Sequence, residues 1–371
     1  MAKSRLQQLA ELGQSIWIDS LSREMLETGE LERLIREDSV SGVTSNPTIF
    51  QKALAEGDWY DTELRELASL DGDTREIFFR LAENDVRQAC DLLRPVHEKT
   101  AGLDGYVSIE VDPTLAYDSE RTYEQTLRFH SDIDRPNLYV KIPATRPGLP
   151  AIEDAIAAGH SVNITLIFSL QRYTEVVDAY LRGLERRIAA AGDVSKINSV
   201  ASFFVSRVDS EADKRLEQVG TPAALALRGK LAVANAKLAY RHFQEVFSSE
   251  RWQYLASKGA RAQRCLWAST STKNPAYSDT LYVSELIGPD TVNTMPIETV
   301  RAFQDHGTVA ETLAQGVDEA QLLLEQVEAA GVSYAEVVDT LEAEGVQKFA
   351  DSFAELLTGI ETKLKKLEVG R

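Results

Sequence analysis

One lysine stands where a lysine is costly. In LYVKIP, residues 138–143, Lys141 lies between Val140 and Ile142 in a run that reads as a buried strand. Burial disfavours the charged ammonium, and a neutral amine attacks carbonyl carbon. The competing reading is an internal ion pair with Glu110 or Asp19, which would hold the amine protonated; the residue types leave both open. Amine–carbonyl chemistry also needs groups that carry protons. Asp19 and Glu110 qualify, although a lone carboxylate at a strand end equally caps a helix or pairs with a cation. Thr44, Asn46, Asn163 and Thr165 could orient a polyhydroxylated ligand or simply satisfy backbone groups, and Ser202 falls on the same inward face.

A second constellation suits an anion. Arg207 ends SFFVSR, and ASTSTKNP supplies Ser269, Ser271 and Lys273. Arginine, hydroxyls and a second cation match a phosphate monoester, and loops after late strands of barrels commonly bind one. The alternative is a surface Arg207 paired with Asp209 and a solvated Lys273.

Strand parity brings these residues together. In YVSIEVD, Ser108, Glu110 and Asp112 share one face and Val107, Ile109 and Val111 the other; IWIDS, LYVKIP and VNITLIF repeat the pattern. β-rich runs occur at 16–20, 42–46, 106–112, 138–143, 162–168, 200–205, 264–269 and 291–295. Helical stretches separate them, among others at 23–37, 171–190, 222–247 and 278–287, with Pro222 starting one and Gly288-Pro289 stopping another. Strict alternation favours an α/β fold with parallel strands. Eight units suit a closed (β/α)8 TIM barrel with additional helices, whose chemistry sits at the carboxyl ends of the strands. An antiparallel sheet with one wet face would give the same alternation, but the intervening helices leave few hairpins. We expect one decorated domain over 1–371, with the barrel core at about 12–306 and a C-terminal helical extension at about 317–368.

Composition excludes other classes. The 371 residues carry a net charge of −18, which repels nucleic acid and anionic membranes, so an anionic ligand needs a local basic pocket. Hydrophobic residues at 43% support a large core, yet no apolar stretch is long enough to span a membrane, and the amino terminus does not read as a secretion signal. Cys90 and Cys265 form no paired motif, which fits a reducing cytoplasm; both read as packed small hydrophobes. The five histidines lack metal-ligand spacing, and no glycine-rich phosphate loop occurs.

The segments SIWIDSLSRE, GVTSNPTIF, VSIEVDPTLAYD, LYVKIPATRPGLPAI, SVNITLIFS, VASFFVSRVD and CLWASTSTKNP resemble the transaldolases, class I enzymes of the pentose phosphate pathway, over about 12–306. The resemblance implies a Schiff-base lysine at Lys141, a catalytic aspartate at Asp19, and a proton-transfer glutamate at Glu110 working with Thr165 through a water. It further implies that Asn46, Asn163 and Ser202 hold a dihydroxyacetone unit, with Thr44 shaping the pocket, and that Arg207 and Ser269 take the phosphate. Many transaldolases carry an arginine two residues beyond that serine; here the position is Ser271, and Lys273 is the nearest cation by charge and position. The expected reaction moves dihydroxyacetone from sedoheptulose 7-phosphate to glyceraldehyde 3-phosphate, giving erythrose 4-phosphate and fructose 6-phosphate. It uses no metal or organic cofactor, and the assembly is expected to be a monomer or homodimer. Related fructose 6-phosphate aldolases usually carry Gln where Glu110 stands, which favours transfer. A noncatalytic sugar-phosphate-binding barrel is the reading from a different class.

Overall fold

The computed structural model describes residues 3–55, 57–69 and 73–369. Among them, eight parallel strands close into a barrel in chain order: β1 (Gln14–Ile18), β2 (Val40–Val43), β3 (Tyr106–Glu110), β4 (Leu138–Pro143), β5 (Val162–Ile167), β6 (Ser199–Phe204), β7 (Arg264–Ala268) and β8 (Thr291–Met295). β1 pairs with β8 from Gln14↔Thr291 to Ile18↔Met295, which shuts the cylinder. The parallel order excludes the antiparallel alternative.

Alternation explains the register. The faces bearing Val107, Ile109, Val140, Ile142, Val162 and Ile164 pack against the surrounding helices within one continuous hydrophobic core. The opposite faces fill the barrel in layers, where Trp17 lies near Tyr139 and Tyr106 stacks on Tyr139 at 4.1 Å. The interior is so tightly filled at β2 that a Cβ on Gly42 would fall 2.4 Å from the Trp17 ring; only glycine fits there.

Several boundaries differ from the sequence expectation. β1, β2, β3 and β7 end before Asp19, Thr44, Asp112 and Ser269, so Asp19, Thr44, Asn46 and Ser269 stand on the loops just beyond their strands. Backbone pairing still runs one residue past β1 and β2, since the Asp19 N–H donates to the Met295 carbonyl and the Thr44 N–H to the Ile18 carbonyl, both at 2.9 Å, whereas Asp112 caps the 3-10 turn Pro113–Leu115. The 23–37 stretch is two helices, Arg23–Glu27 and Glu30–Glu37, because Gly29 adopts a left-handed φ of 75°. The 222–247 stretch divides into Pro222–Leu225 and Leu231–Val246; Asp213 and Asp209 accept the Gly229 and Ala232 N–H groups and fix the second start. Only Leu281–Ser284 of 278–287 is α-helical. The Ser284 and Ile287 carbonyls instead accept from Thr312 and Leu313, which pulls this segment out of its helical ladder.

Beyond the barrel lie helices Val317–Ala329 and Tyr334–Val369. The second has 36 residues, about 54 Å of helix, and buries Phe349, Phe353, Leu356 and Ile360 on one stripe. It packs on the helix Pro47–Ala55 after β2, on Val205–Val219 after β6 and on β5. No helix among the described residues is long and apolar enough to cross a membrane.

Candidate active site

A cavity of about 530 Å³ opens at the carboxyl ends of the strands. Asp19, Thr44, Asn46, Lys141, Ser202, Arg207, Ser269 and Lys273 all line it. Residues drawn from β1, β2, β4, β6 and β7, distant in sequence, thus converge because each follows or ends an inward-facing strand position. Glu110, Asn163 and Thr165 are buried but do not form its wall. Glu110 borders a much smaller space of about 10 Å³ next to Phe78, Phe79 and Phe353.

Lys141 is 4% exposed, and its Nζ lies 3.4 Å from Glu110 Oε2 and donates to the Ser45 carbonyl at 3.4 Å. Both expected alternatives therefore meet in one geometry: the amine has a carboxyl partner and also faces a cavity. The contact to Glu110 is too poorly aligned for a hydrogen bond, and both Glu110 oxygens lack a hydrogen-bond partner among the described residues. Burial pushes the Glu110 carboxyl up to about 7, with Lys141 opposing that rise. A carboxyl that titrates there can give and take protons at neutral pH. Thr165 Oγ1 is likewise buried without a partner.

Asp19 is fixed from the side. Thr44 Oγ1 donates to Asp19 Oδ1 at 2.7 Å and lies 2.6 Å from Thr294 Oγ1. Asn46 Oδ1 accepts the Ile49 N–H at 3.0 Å, capping the helix Pro47–Ala55 and leaving its amide nitrogen for the cavity. Ser202 Oγ donates to Asn163 Oδ1 at 2.7 Å, and Asn163 Nδ2 donates to Ser108 Oγ at 3.1 Å. Asn163 thus supports the Ser202 hydroxyl that lines the cavity.

Arg207, just after β6, occupies the first turn of helix Val205–Val219. Its Nη1 is buried and without a partner among the described residues, and burial lowers its pKa. The Asp209 pairing does not occur, because that carboxylate accepts from Tyr282 and the Ala232 N–H. A half-buried guanidinium on a cavity wall, with no carboxylate partner among the described residues, can receive an anion. Ser269, held at a left-handed φ of 55°, lies 2.9 Å through its hydroxyl from Ser206. Lys273 Nζ donates to Ser271 Oγ at 2.6 Å, and its pKa is lowered first by desolvation and then by Arg207 and Lys52.

Among the cavity residues absent from the sequence reading are Lys52, Thr294 and Phe349. Lys52 follows Asn46 by six positions on a helix whose inner face could have been inferred from the Pro47 start. In TVNTM the inward positions are Val292 and Thr294, so a search for the more polar face selects Asn293 instead. Phe349 carried no local signal.

A closed parallel barrel with a polar, cation-bearing cavity at the carboxyl ends of its strands has the build of a barrel enzyme. The family described as Transaldolase/Fructose-6-phosphate aldolase matches residues 16–360, and the chain belongs to the transaldolase family of transferase enzymes. A protein named Transaldolase from Thermobifida fusca (strain YX) is 55% identical over 362 residues, covering 97% of this chain and 98% of its own. One of the same name from Parafrankia sp. (strain EAN1pec) is 52% identical over 360 residues, covering 97% and 98%. Another from Mycobacterium tuberculosis (strain ATCC 25618 / H37Rv) is 53% identical over 351 residues, covering 94% of each.

Proposed function

We propose that the chain transfers dihydroxyacetone from sedoheptulose 7-phosphate to glyceraldehyde 3-phosphate through a Schiff base on Lys141, in the non-oxidative pentose phosphate pathway. The carrying observation is the Lys141 amine, which sits between a buried carboxyl that titrates at about 7 and a cavity that also bears an arginine without an ion-pair partner among the described residues. The neutral amine attacks the C2 ketone, and Glu110 with Thr165 moves protons as the carbinolamine loses water. Their unmet hydrogen-bonding capacity supports this role.

The iminium on Lys141 then draws electrons from the C3–C4 bond while Asp19 takes the C4 hydroxyl proton. Erythrose 4-phosphate leaves, an enamine stays on Lys141, and glyceraldehyde 3-phosphate enters to be attacked by it. Fructose 6-phosphate follows after hydrolysis of the new iminium. Asn46 and Ser202, the latter backed by Asn163, orient the three-carbon unit; Thr44 keeps Asp19 aimed. Arg207, Ser269 and Lys273 take the phosphate, with Lys273 serving where many relatives use an arginine. We read the chain as one decorated barrel domain that works in the cytoplasm without metal or organic cofactor, on sugar phosphates and not on nucleic acid.

The test supplies fructose 6-phosphate with and without erythrose 4-phosphate. Sedoheptulose 7-phosphate and glyceraldehyde 3-phosphate should form together only when the acceptor is present. Rapid release of free dihydroxyacetone without acceptor would make the chain an aldolase, and sugar-phosphate binding without turnover would make it a binding barrel.

A further inference from the structure

The long C-terminal helix places an aromatic ring between the two functional halves of the cavity. Phe349 is 4% exposed; its ring centroid lies 5.9 Å from Lys141 Nζ and 6.0 Å from Arg207 Cζ, and its edge meets Phe204 at 6.2 Å. It is the residue through which helix Tyr334–Val369 lines the cavity. Three attachments fix the helix on either side of the ring. Thr48, two residues after Asn46, donates to Ser352 at 2.9 Å. Arg215, on the helix that begins beside Arg207, binds Glu336 at 2.9 Å and Thr340 at 3.0 Å. Gly345 packs on Leu166 and Phe168 so closely that a Cβ would approach them to 3.1 and 3.3 Å.

An apolar ring at this position matters most for a covalent intermediate. On the reading above, the enamine bound to Lys141 has two fates. It can attack an aldose phosphate, or it can take a proton at C3 to become an iminium, whereupon water adds at C2 and the C2–N bond breaks. That second route consumes one water and yields free dihydroxyacetone and the free amine. The two fates part at the enamine, so shielding its C3 from proton-bearing water suppresses the second without slowing attack on a bound aldehyde, and the water that hydrolyses the product iminium acts only after that branch. We propose that Phe349 is the residue that sets the partition between transfer and hydrolysis by covering the Lys141-bound three-carbon unit against water.

This inference rests on the transaldolase reading, so the experiment separates the two. The ratio of dihydroxyacetone freed to dihydroxyacetone transferred is measured at a fixed erythrose 4-phosphate concentration for the full chain and its variants. Because both fluxes leave one intermediate, the ratio does not depend on the fraction of folded protein. Phe349→Ala should raise it by about tenfold or more, whereas Phe349→Leu, which keeps an apolar cover, should stay within about twofold of the native chain. If Phe349→Ala does not fold, Phe349→Val is compared with Phe349→Leu and should show the same ordering. A folded small-residue variant with an unchanged ratio overturns the inference alone; a native chain that transfers nothing overturns the functional reading.

Discussion

The two ends of one barrel treat their buried charges in opposite ways. At the amino end, Asp104 accepts from Trp17 Nε1 at 2.7 Å, from Ser41 Oγ at 2.8 Å, from Ser15 and from its neighbour Gly105. Arg264 beside it donates to Ser15 Oγ and to the Leu103 carbonyl. Around the cavity at the carboxyl end, both oxygens of Glu110 and one nitrogen of Arg207 are buried with no hydrogen-bond partner among the described residues. A buried charge whose bonds are met adds to the fold; one whose bonds are unmet costs stability and persists where a ligand completes it. The difference teaches where the barrel stores structure and where it stores chemistry.

Removing the lysine breaks the comparison most severely. Lys141→Met should lower turnover by about three orders of magnitude or more while the chain stays folded, as read by circular dichroism and a coupled assay. Asp104→Ala should do the reverse. Losing one partner of the satisfied network should cost about 3–5 kcal/mol in urea unfolding, with turnover per folded molecule little changed. A large catalytic loss from Asp104→Ala would erase the division between the two ends.

Arg207→Ala should raise the KM for fructose 6-phosphate by about 10–100-fold, the worth of hydrogen bonds to a charged group, and should spare binding of unphosphorylated dihydroxyacetone. The smallest effect is a pH slope. The Glu110 carboxyl titrates at about 7 when folded against 4.5 as its ordinary value. Between those values the folded chain holds a proton on Glu110 that the unfolded chain has lost, so the contribution of this group to stability is fully present below 4.5 and is lost as pH rises to 7. The native chain minus Glu110→Gln, compared by urea midpoint at pH 5, 6 and 7, should show that decline. A flat difference would place Glu110 in an ordinary ion pair.

Much of the site was legible because strand parity is local. Lys141, Glu110, Asn163, Thr165 and Ser202 could be assigned to the barrel interior from period-2 alternation, and the eight runs gave the order of the barrel. Asp19, Thr44 and Asn46 were assigned by the same alternation to the carboxyl ends of strand runs 16–20 and 42–46, and they stand just beyond β1 and β2 instead. The sequence did not reveal how those residues divide between the cavity wall and the layer beneath it, since that depends on barrel register. Phe349 was illegible for a different reason: an apolar residue on a helical stripe reads as core, and only tertiary packing brings it over Lys141. The left-handed backbone of Leu166 and Ser269, at the ends of β5 and β7, had no glycine to announce it.

The most direct test is borohydride reduction during incubation with fructose 6-phosphate, followed by peptide mass mapping. A three-carbon adduct on the Lys141 peptide, absent from Lys141→Met, is the predicted result. An adduct on another lysine, or none from a chain that still transfers dihydroxyacetone, would contradict it.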